Sequence, residues 1–460
     1  MNFREQISWV HKDKKLATEK AEKFLSMAVE KAVLQQPLPL ITDSVVKRAL
    51  VVGAGLSGMT AALYVAEEEF EVDLIEKTSE LGGNAREIYM TLEGLNVQDF
   101  LKKRIEEIEN NRLIHIYKNT ELEEVTGYAG NFQARLIINQ SESKVISYGA
   151  IIVATGAKEN QSLKEYSYGE DKRIITQKEM ERLIANKEIE VNSQNSIVMI
   201  QCVGSREEPH LYCSRVCCSQ AIKNALKIKE ENPKANIYIL YRDIMTYEFK
   251  EEYYTKAREM GIAFIRYNVD NKPQLKIEGG KLKVRVTDFV LNEELVINPD
   301  FVVLSVGMIP EDNHSLAKIL EVTLDNDGFF EEANVKFRPV EFLRDGIFVC
   351  GLAHSPRSVK ESLTQATAAA TKTVILLFQE RMLSRRCIAE VNERWCSGCE
   401  VCISSCPYKA RVIDEQKRVV KVISTLCRGC GTCAAVCPNG AAKLKGYEDK
   451  QILSVIDAAI

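Results

Sequence analysis

Short apolar runs and helix-spaced stretches alternate along this chain. Arg48-Ala-Leu-Val-Val52 is a compact apolar segment of strand type, followed by a glycine turn and an Ala-rich stretch of helical period, and then by a second strand, Glu71-Val-Asp-Leu-Ile75. That strand–helix–strand order predicts a parallel sheet with helices packed on it. A second unit of the same kind starts at Ser196-Ile-Val-Met-Ile200, runs through a helix near 214–230 and returns at Asn236-Ile-Tyr-Ile-Leu240. Three shorter β-like segments follow between about 262 and 298. Strands near 301–305 and 347–350 are expected to rejoin the first domain, with a helix after Ser358. Ahead of these, Ala17, Ala21, Phe24, Ala28 and Ala32 give residues 1–36 one helical face, and Pro37 and Pro39 mark a linker.

The glycine turn reads Gly53-Ala-Gly-Leu-Ser-Gly58, between a predicted strand and a predicted helix, which is the context that gives this spacing its meaning. Gly53 permits the tight turn, Gly55 lets the backbone approach a pyrophosphate, and Gly58 allows the helix to pack closely. The helix N-terminus supplies free N–H groups to the phosphates. Glu76 ends the next strand, 18 residues after Gly58, where a carboxylate reaches ribose hydroxyls. Leu81-Gly-Gly83 is a loop typical of flavoproteins, Ile151-Ile-Val-Ala-Thr-Gly156 resembles the strand-turn of two-dinucleotide flavoproteins, and Gly346-Ile-Phe-Val-Cys-Gly351 resembles their late strand. Leu352 stands where that class carries Asp. The expected ligand is FAD, held by Gly53, Gly55, Ser57, Gly58, Glu76, Lys77, Gly82, Gly83, Asn84, Ala154, Thr155, Gly156, Gly351, Leu352 and Gln365.

Composition changes the picture at one residue type. Apolar residues make up 45% and the formal charge is −4, which suits a globular protein with a core and argues against nucleic acid as a partner. Of 14 cysteines, eight fall between Cys396 and Cys437. With no signal-like segment and no membrane-length apolar run, they read as metal or redox ligands in a reducing, cytoplasmic setting.

Those eight form Cys396-x2-Cys399-x2-Cys402-x3-Cys406-Pro407 and Cys427-x2-Cys430-x2-Cys433-x3-Cys437-Pro438. In this two-cluster ferredoxin pattern the fourth cysteine of each run serves the other cluster. One [4Fe–4S] cluster is therefore assigned to Cys396, Cys399, Cys402 and Cys437, and the second to Cys427, Cys430, Cys433 and Cys406. Trp395 and Tyr408 adjoin ligands and are expected to shield clusters from water. Cys350 and Cys387 have no partner by spacing and read as structural.

The inserted unit has no second glycine loop. Where one would stand, the chain reads Gln201-Cys-Val-Gly-Ser-Arg206 and then Tyr212-Cys-Ser-Arg-Val-Cys-Cys218, so nicotinamide binding is expected to be lost there. Cys213 and Cys217 are expected one turn apart at a helix start. The residues alone leave three readings open for Cys202, Cys213, Cys217 and Cys218: an iron–sulfur cluster, a redox dithiol, or buried structural thiols.

Together these motifs resemble the A-type subunits of heterodisulfide reductase, the flavin and iron–sulfur subunits of methanogens and many anaerobic bacteria, from Arg4 to the C-terminus. The resemblance implies a thioredoxin-reductase-like flavin core. It implies a third [4Fe–4S] cluster at Cys202, Cys213, Cys217 and Cys218, and a Lys223 that approaches the flavin N5, where the residues alone would read an exposed helix lysine. Gln365 and the helix after Ser362 are expected at the flavin's pyrimidine end. Longer family members have an N-terminal cluster domain and an inserted ferredoxin domain that are not found in this sequence, and Ile7 stands where they have Cys. The chain thus looks like the C-terminal half of a long family member.

The expected architecture is an α/β two-dinucleotide-domain flavoprotein with a C-terminal 2[4Fe–4S] ferredoxin domain. Its expected parts are a helical arm and linker (1–40), an FAD-binding domain (41–165 and 299–380), an inserted Rossmann-like domain (166–298) and the ferredoxin domain (381–460). The expected function is an electron-transfer oxidoreductase subunit of a heterodisulfide-reductase-like complex, in a family where flavin-based bifurcation occurs. Partners are the other subunits, with homodimerisation left open. A free-standing NAD(P)H-dependent reductase and a scaffold with structural clusters are the competing readings.

Overall fold

The computed structural model describes residues 2–37, 41–160, 165–188, 195–384, 387–424 and 426–460. The chain forms two compact units, Val45–Gln379 and a second made of Met1–Ser44 with Glu380–Ile460.

The larger unit is built on two five-stranded parallel sheets. In the first, the order is Ile347–Val349, Ala150–Val153, Arg48–Val52, Glu71–Ile75, Ile114–Tyr117. Its central strands are covered on both faces, so they are apolar throughout rather than alternating: Ala49, Leu50 and Val51 are fully buried. The second sheet runs Ile174–Thr176, Phe301–Val306, Ser196–Val203, Asn236–Tyr241, Ala263–Arg266. Two antiparallel three-stranded meanders, one of them Thr120–Tyr128, Asn131–Ile138 and Glu142–Tyr148, the other Gln274–Glu278, Lys281–Asp288 and Glu293–Ile297, and the short antiparallel pair Ala157–Glu159 with Met308–Pro310 complete the unit.

The structure moves two expected boundaries. Phe301–Val306 does not rejoin the first sheet; it lies inside the second, between Ile174–Thr176 and Ser196–Val203. An unbroken apolar run carries no period that says which parallel sheet it enters. The helix expected near 214–230 is Cys217–Glu231, because Arg215 takes a left-handed conformation (φ +60°) that ends helical geometry before it. Cys213 therefore sits in the loop ahead of the helix, not one turn along it.

In the smaller unit, the helix Lys14–Val33 is capped by Asp13 and packs on the C-terminal helix Asp449–Asp457. Gln451 donates to the carbonyl of Leu34 (2.9 Å). The N-terminal arm thus belongs with the cysteine-rich module. The linker expected around Pro37 and Pro39 falls in part on residues outside the described set. Two hairpin-like pairings frame the cysteines, Arg411–Asp414 with Val419–Val422 and Ala389–Val391 with Ala442–Leu444. Among the described residues no helix is long and apolar enough to cross a membrane.

Candidate functional site

The glycine loop is shaped for a ligand at one glycine and for packing at the other two. A side chain on Gly53 (φ +102°) would press on the carbonyl of Ala154, and one on Gly58 would overlap the carbonyl oxygen of Gly53. Gly55 faces open space, with no atom within 4 Å of where a Cβ would stand. It is the N-cap of the helix Leu56–Glu67, so the free N–H groups of the first turn open onto that space. Glu76 accepts from the Ala54 amide (2.9 Å) and from the Thr78 amide and hydroxyl, which fixes its carboxylate beside the loop. Gly82 and Gly83 follow with positive φ, and Asn84 reaches across to the Ala157 carbonyl (2.5 Å), just past Ala154, Thr155 and Gly156. Ser57 lies against Gly351, where a Cβ would strike its hydroxyl. Lys77 is exposed. A dinucleotide fits these features: an open cradle at Gly55, a helix N-terminus, and glycines where side chains would obstruct.

The long helix expected after Ser358 starts at Val359 with a Ser358–Glu361 capping box, and Ser362 and Gln365 lie within it. Gln365 accepts from the Gly351 amide (2.9 Å) and its Nε2 lies 2.6 Å from His354 Nδ1. It holds the Gly351 turn from inside. Leu352 packs with Tyr212 and Val216 against Ala157, Met308 and Phe329, so the residue replacing the usual Asp ties the glycine turn to the cysteine segment.

That segment replaces a phosphate loop. Between the strand Ser196–Val203 and its helix lies a long connection instead of a tight glycine turn. Cys202 occupies an irregularity in strand register, with φ +60°. The connection is sewn to the end of Phe301–Val306: Tyr212 donates to the Met308 carbonyl (2.7 Å), Ser214 accepts from the Met308 amide (2.8 Å), and the Cys217 thiol lies 3.5 Å from the Val306 carbonyl. Arg215 reaches Glu361 (2.5 Å). Burial pushes the Cys218 thiol up to about 12, and raises Cys217 and Cys202, with the other members of the set adding mutual repulsion. A reactive dithiol is favoured by a lowered thiol value, the opposite of the direction burial gives Cys202, Cys217 and Cys218. Such a set carries charge when cations hold the thiolates.

Lys223 is not exposed. Its Nζ lies 2.6 Å from Glu181 and 2.9 Å from the Met90 carbonyl, and burial draws the ammonium below its usual range against the pull of Glu181. Glu181 also accepts from the amides of Tyr89 and Met90. The pair therefore clamps the segment that follows Gly82, Gly83 and Asn84.

In the smaller unit, Cys396, Cys399, Cys402 and Cys437 line one cavity, and Cys406, Cys427, Cys430 and Cys433 line another. The fourth cysteine of each run crosses to the other set. Among the described residues no three His, Cys, Asp or Glu groups converge on a point that a single ion would occupy. Four thiols line each cavity, the complement an iron–sulfur cluster takes. Backbone amides point at four of these sulfurs: Ala389 at Cys427, Ala410 at Cys406, Val420 at Cys396 and Ala442 at Cys437, all at 3.4–3.5 Å. Trp395 and Tyr408 line the cavities while remaining half-exposed. Cys350 is core, and Cys387 donates to the Lys445 carbonyl.

Sequence reasoning missed Glu181 and Arg411. For Glu181 there was no signal, since its partner lies 42 residues away on another helix. Arg411 had one: two-residue alternation places it on the same face as Ile413, which packs in the cysteine core.

Residues 51–99 match the family described as NAD(P)-binding Rossmann-like domain, and residues 395–441 match the 4Fe-4S dicluster domain. The A-type iron–sulfur subunit of a CoB–CoM heterodisulfide reductase from Methanocaldococcus jannaschii is 32% identical, over all of this chain and 84% of that protein. The A-type subunit of an H2/formate:CoB-CoM heterodisulfide,ferredoxin reductase from Methanococcus maripaludis is 31% identical with the same coverage. The likeness thus extends beyond the C-terminal half of such proteins. Thioredoxin reductase from Lactococcus lactis superposes with a TM-score of 0.51 at 17% identity, covering 72% of this chain and 99% of that one, which is a likeness of fold.

Proposed function

Because this chain belongs to the family of heterodisulfide reductase A-type subunits, we propose that it is the component in which paired electrons are split for one-at-a-time delivery to partner subunits. It is part of an oxidoreductase, with FAD and iron–sulfur clusters as its cofactors. FAD exchanges electrons in pairs and each [4Fe–4S] cluster exchanges one, which is the chemistry these groups supply.

The protein's part is to bind, space and tune them. Gly55 and the helix after it receive the diphosphate, and Glu76 receives the ribose. Gly82, Gly83, Asn84, Thr155 and Gly156 shape the flavin end, with Gln365 bracing Gly351. Lys223, held by Glu181 and the Met90 carbonyl, keeps a proton at Nζ close to the segment that follows the flavin loop. Cys202, Cys213, Cys217 and Cys218 hold a third cluster, next to the turn at Leu352. The reading rests above all on the eight ferredoxin cysteines, grouped four and four around two cavities with the crossed assignment that two cubanes require.

The name of the Methanococcus maripaludis relative gives that complex two acceptors, a heterodisulfide and ferredoxin. By extension we place this chain in a complex that feeds two acceptors from one flavin. Purifying the native complex without oxygen and identifying its other chains tests this reading. Co-purification of iron–sulfur and disulfide-reducing subunits, with acceptor reduction that requires both acceptors, is expected. A free chain whose flavin is bleached by NADH alone contradicts it.

A further inference from the structure

Arg411 is 3% exposed. Its guanidinium lies 2.9 Å from the Cys433 sulfur and 3.7 Å from the Cys402 sulfur, and it lines both cysteine cavities. Cys433 belongs to one set of four and Cys402 to the other. Among the described residues no carboxylate pairs with it, and the nearby Asp414 is engaged by Lys421 at 2.5 Å and by the amides of Gln416 and Lys417. A guanidinium keeps its charge at any working pH. Burying such a charge without an anion is strongly unfavourable, so this position makes sense only if the cysteine sets are themselves anionic.

Resting on the ferredoxin reading above, we infer that Arg411 is a shared cation that raises the reduction potentials of both clusters in this module together. Each reduction adds one electron and one negative charge to a cluster that is already anionic. A fixed positive charge and N–H donors at its sulfurs stabilise the more negative state. The forked, planar donor group serves two sulfurs at once, which a lysine ammonium on a flexible stem does less well. The backbone holds it in place: Arg411 pairs with Val422 in the hairpin, and the preceding amide, Ala410, is fastened to Cys406. Arg411 is thus a tuning residue that touches a ligand of each cluster and contributes none itself.

The test is an anaerobic potentiometric titration of the full holoprotein followed by electron paramagnetic resonance, with iron and acid-labile sulfide measured on each sample. Arg411→Met is expected to keep its iron and sulfide while both ferredoxin midpoints move to lower potential. At the potential that half-reduces each wild-type cluster, the reduced fraction of both then falls several-fold. Arg411→Lys is expected to lie between the two. A fully loaded Arg411→Met protein with unchanged midpoints, or with only one shifted, overturns the inference. So does loss of iron from both variants, which would make Arg411 a structural strut. Wild-type protein without clusters would overturn the ferredoxin reading itself.

Discussion

Lys223 and Glu181 form an ion pair of 2.6 Å in which the lysine is 8% exposed and the glutamate not at all. Lys223→Ala would leave Glu181 buried without its partner, and removing one partner of such a pair costs about 3–5 kcal/mol. A loss of that size in chemical denaturation is expected. Replacing both residues with apolar ones should recover much of it. In flavin-loaded protein, the same substitution is expected to shift the flavin midpoint potential; an unchanged potential would remove Lys223 from the flavin's surroundings.

Gly55 and Gly58 should respond differently to alanine. At Gly55 the backbone is extended (φ −73°, ψ −178°) and nothing crowds a Cβ, so the fold should keep its melting temperature while FAD affinity falls at least tenfold. At Gly58 a methyl would meet the Gly53 carbonyl within the fold. Overpacking of this kind costs about 1–3 kcal/mol, so Gly58→Ala should lower the melting temperature even without flavin. Equal thermal behaviour of the two variants would contradict this division of roles.

Glu159, three residues past Gly156, has its carboxyl pushed up to about 7, mainly by burial, with Lys178 opposing. The unfolded chain binds that proton only below about 4.5, so between these values the folded state holds more of it. The stability this group contributes is complete below the lower value and disappears as pH rises through the upper one. Relative to Glu159→Gln, the wild type should therefore lose stability between pH 4.5 and 7. A protonated-carboxyl infrared band present at pH 6 and absent at pH 8 should vanish in the variant.

Cys406 and Cys437 test the crossed arrangement. Cys406→Ala should disturb the cluster held by Cys427, Cys430 and Cys433 and spare the one held by Cys396, Cys399 and Cys402. Cys437→Ala should do the reverse. Mössbauer spectra of iron-labelled protein, combined with substitutions in either triplet, distinguish this from an uncrossed assignment.

Where local chemistry dictates local form, the sequence was readable. Arg48–Val52 and Glu71–Ile75 are strands with the bounds their apolar runs suggest, because buried parallel strands must be apolar on both faces. Short turns bring the first three cysteines of each run together, and the two-cluster pattern supplies the crossing fourth that lines each cavity with them. Long-range choices were not readable. Phe301–Val306 joins the second sheet by a pairing that no residue in it encodes. The N-terminal helix finds the C-terminal one across the length of the chain. Glu181 meets Lys223 for the same reason: tertiary packing, not spacing, puts them together. Arg411 lay between these cases, its inward register visible and the sulfurs on both sides of it not.

The most direct test of the central claim is a stepwise anaerobic reduction of the purified holoprotein, monitored by flavin absorbance and by electron paramagnetic resonance. Electron transfer through this chain predicts FAD bleaching together with reversible one-electron signals from cubane clusters at low potential, and about twelve iron atoms per chain for three clusters of four. Clusters that stay oxidised throughout, or that are destroyed when reduced, would contradict it and leave them as structural supports.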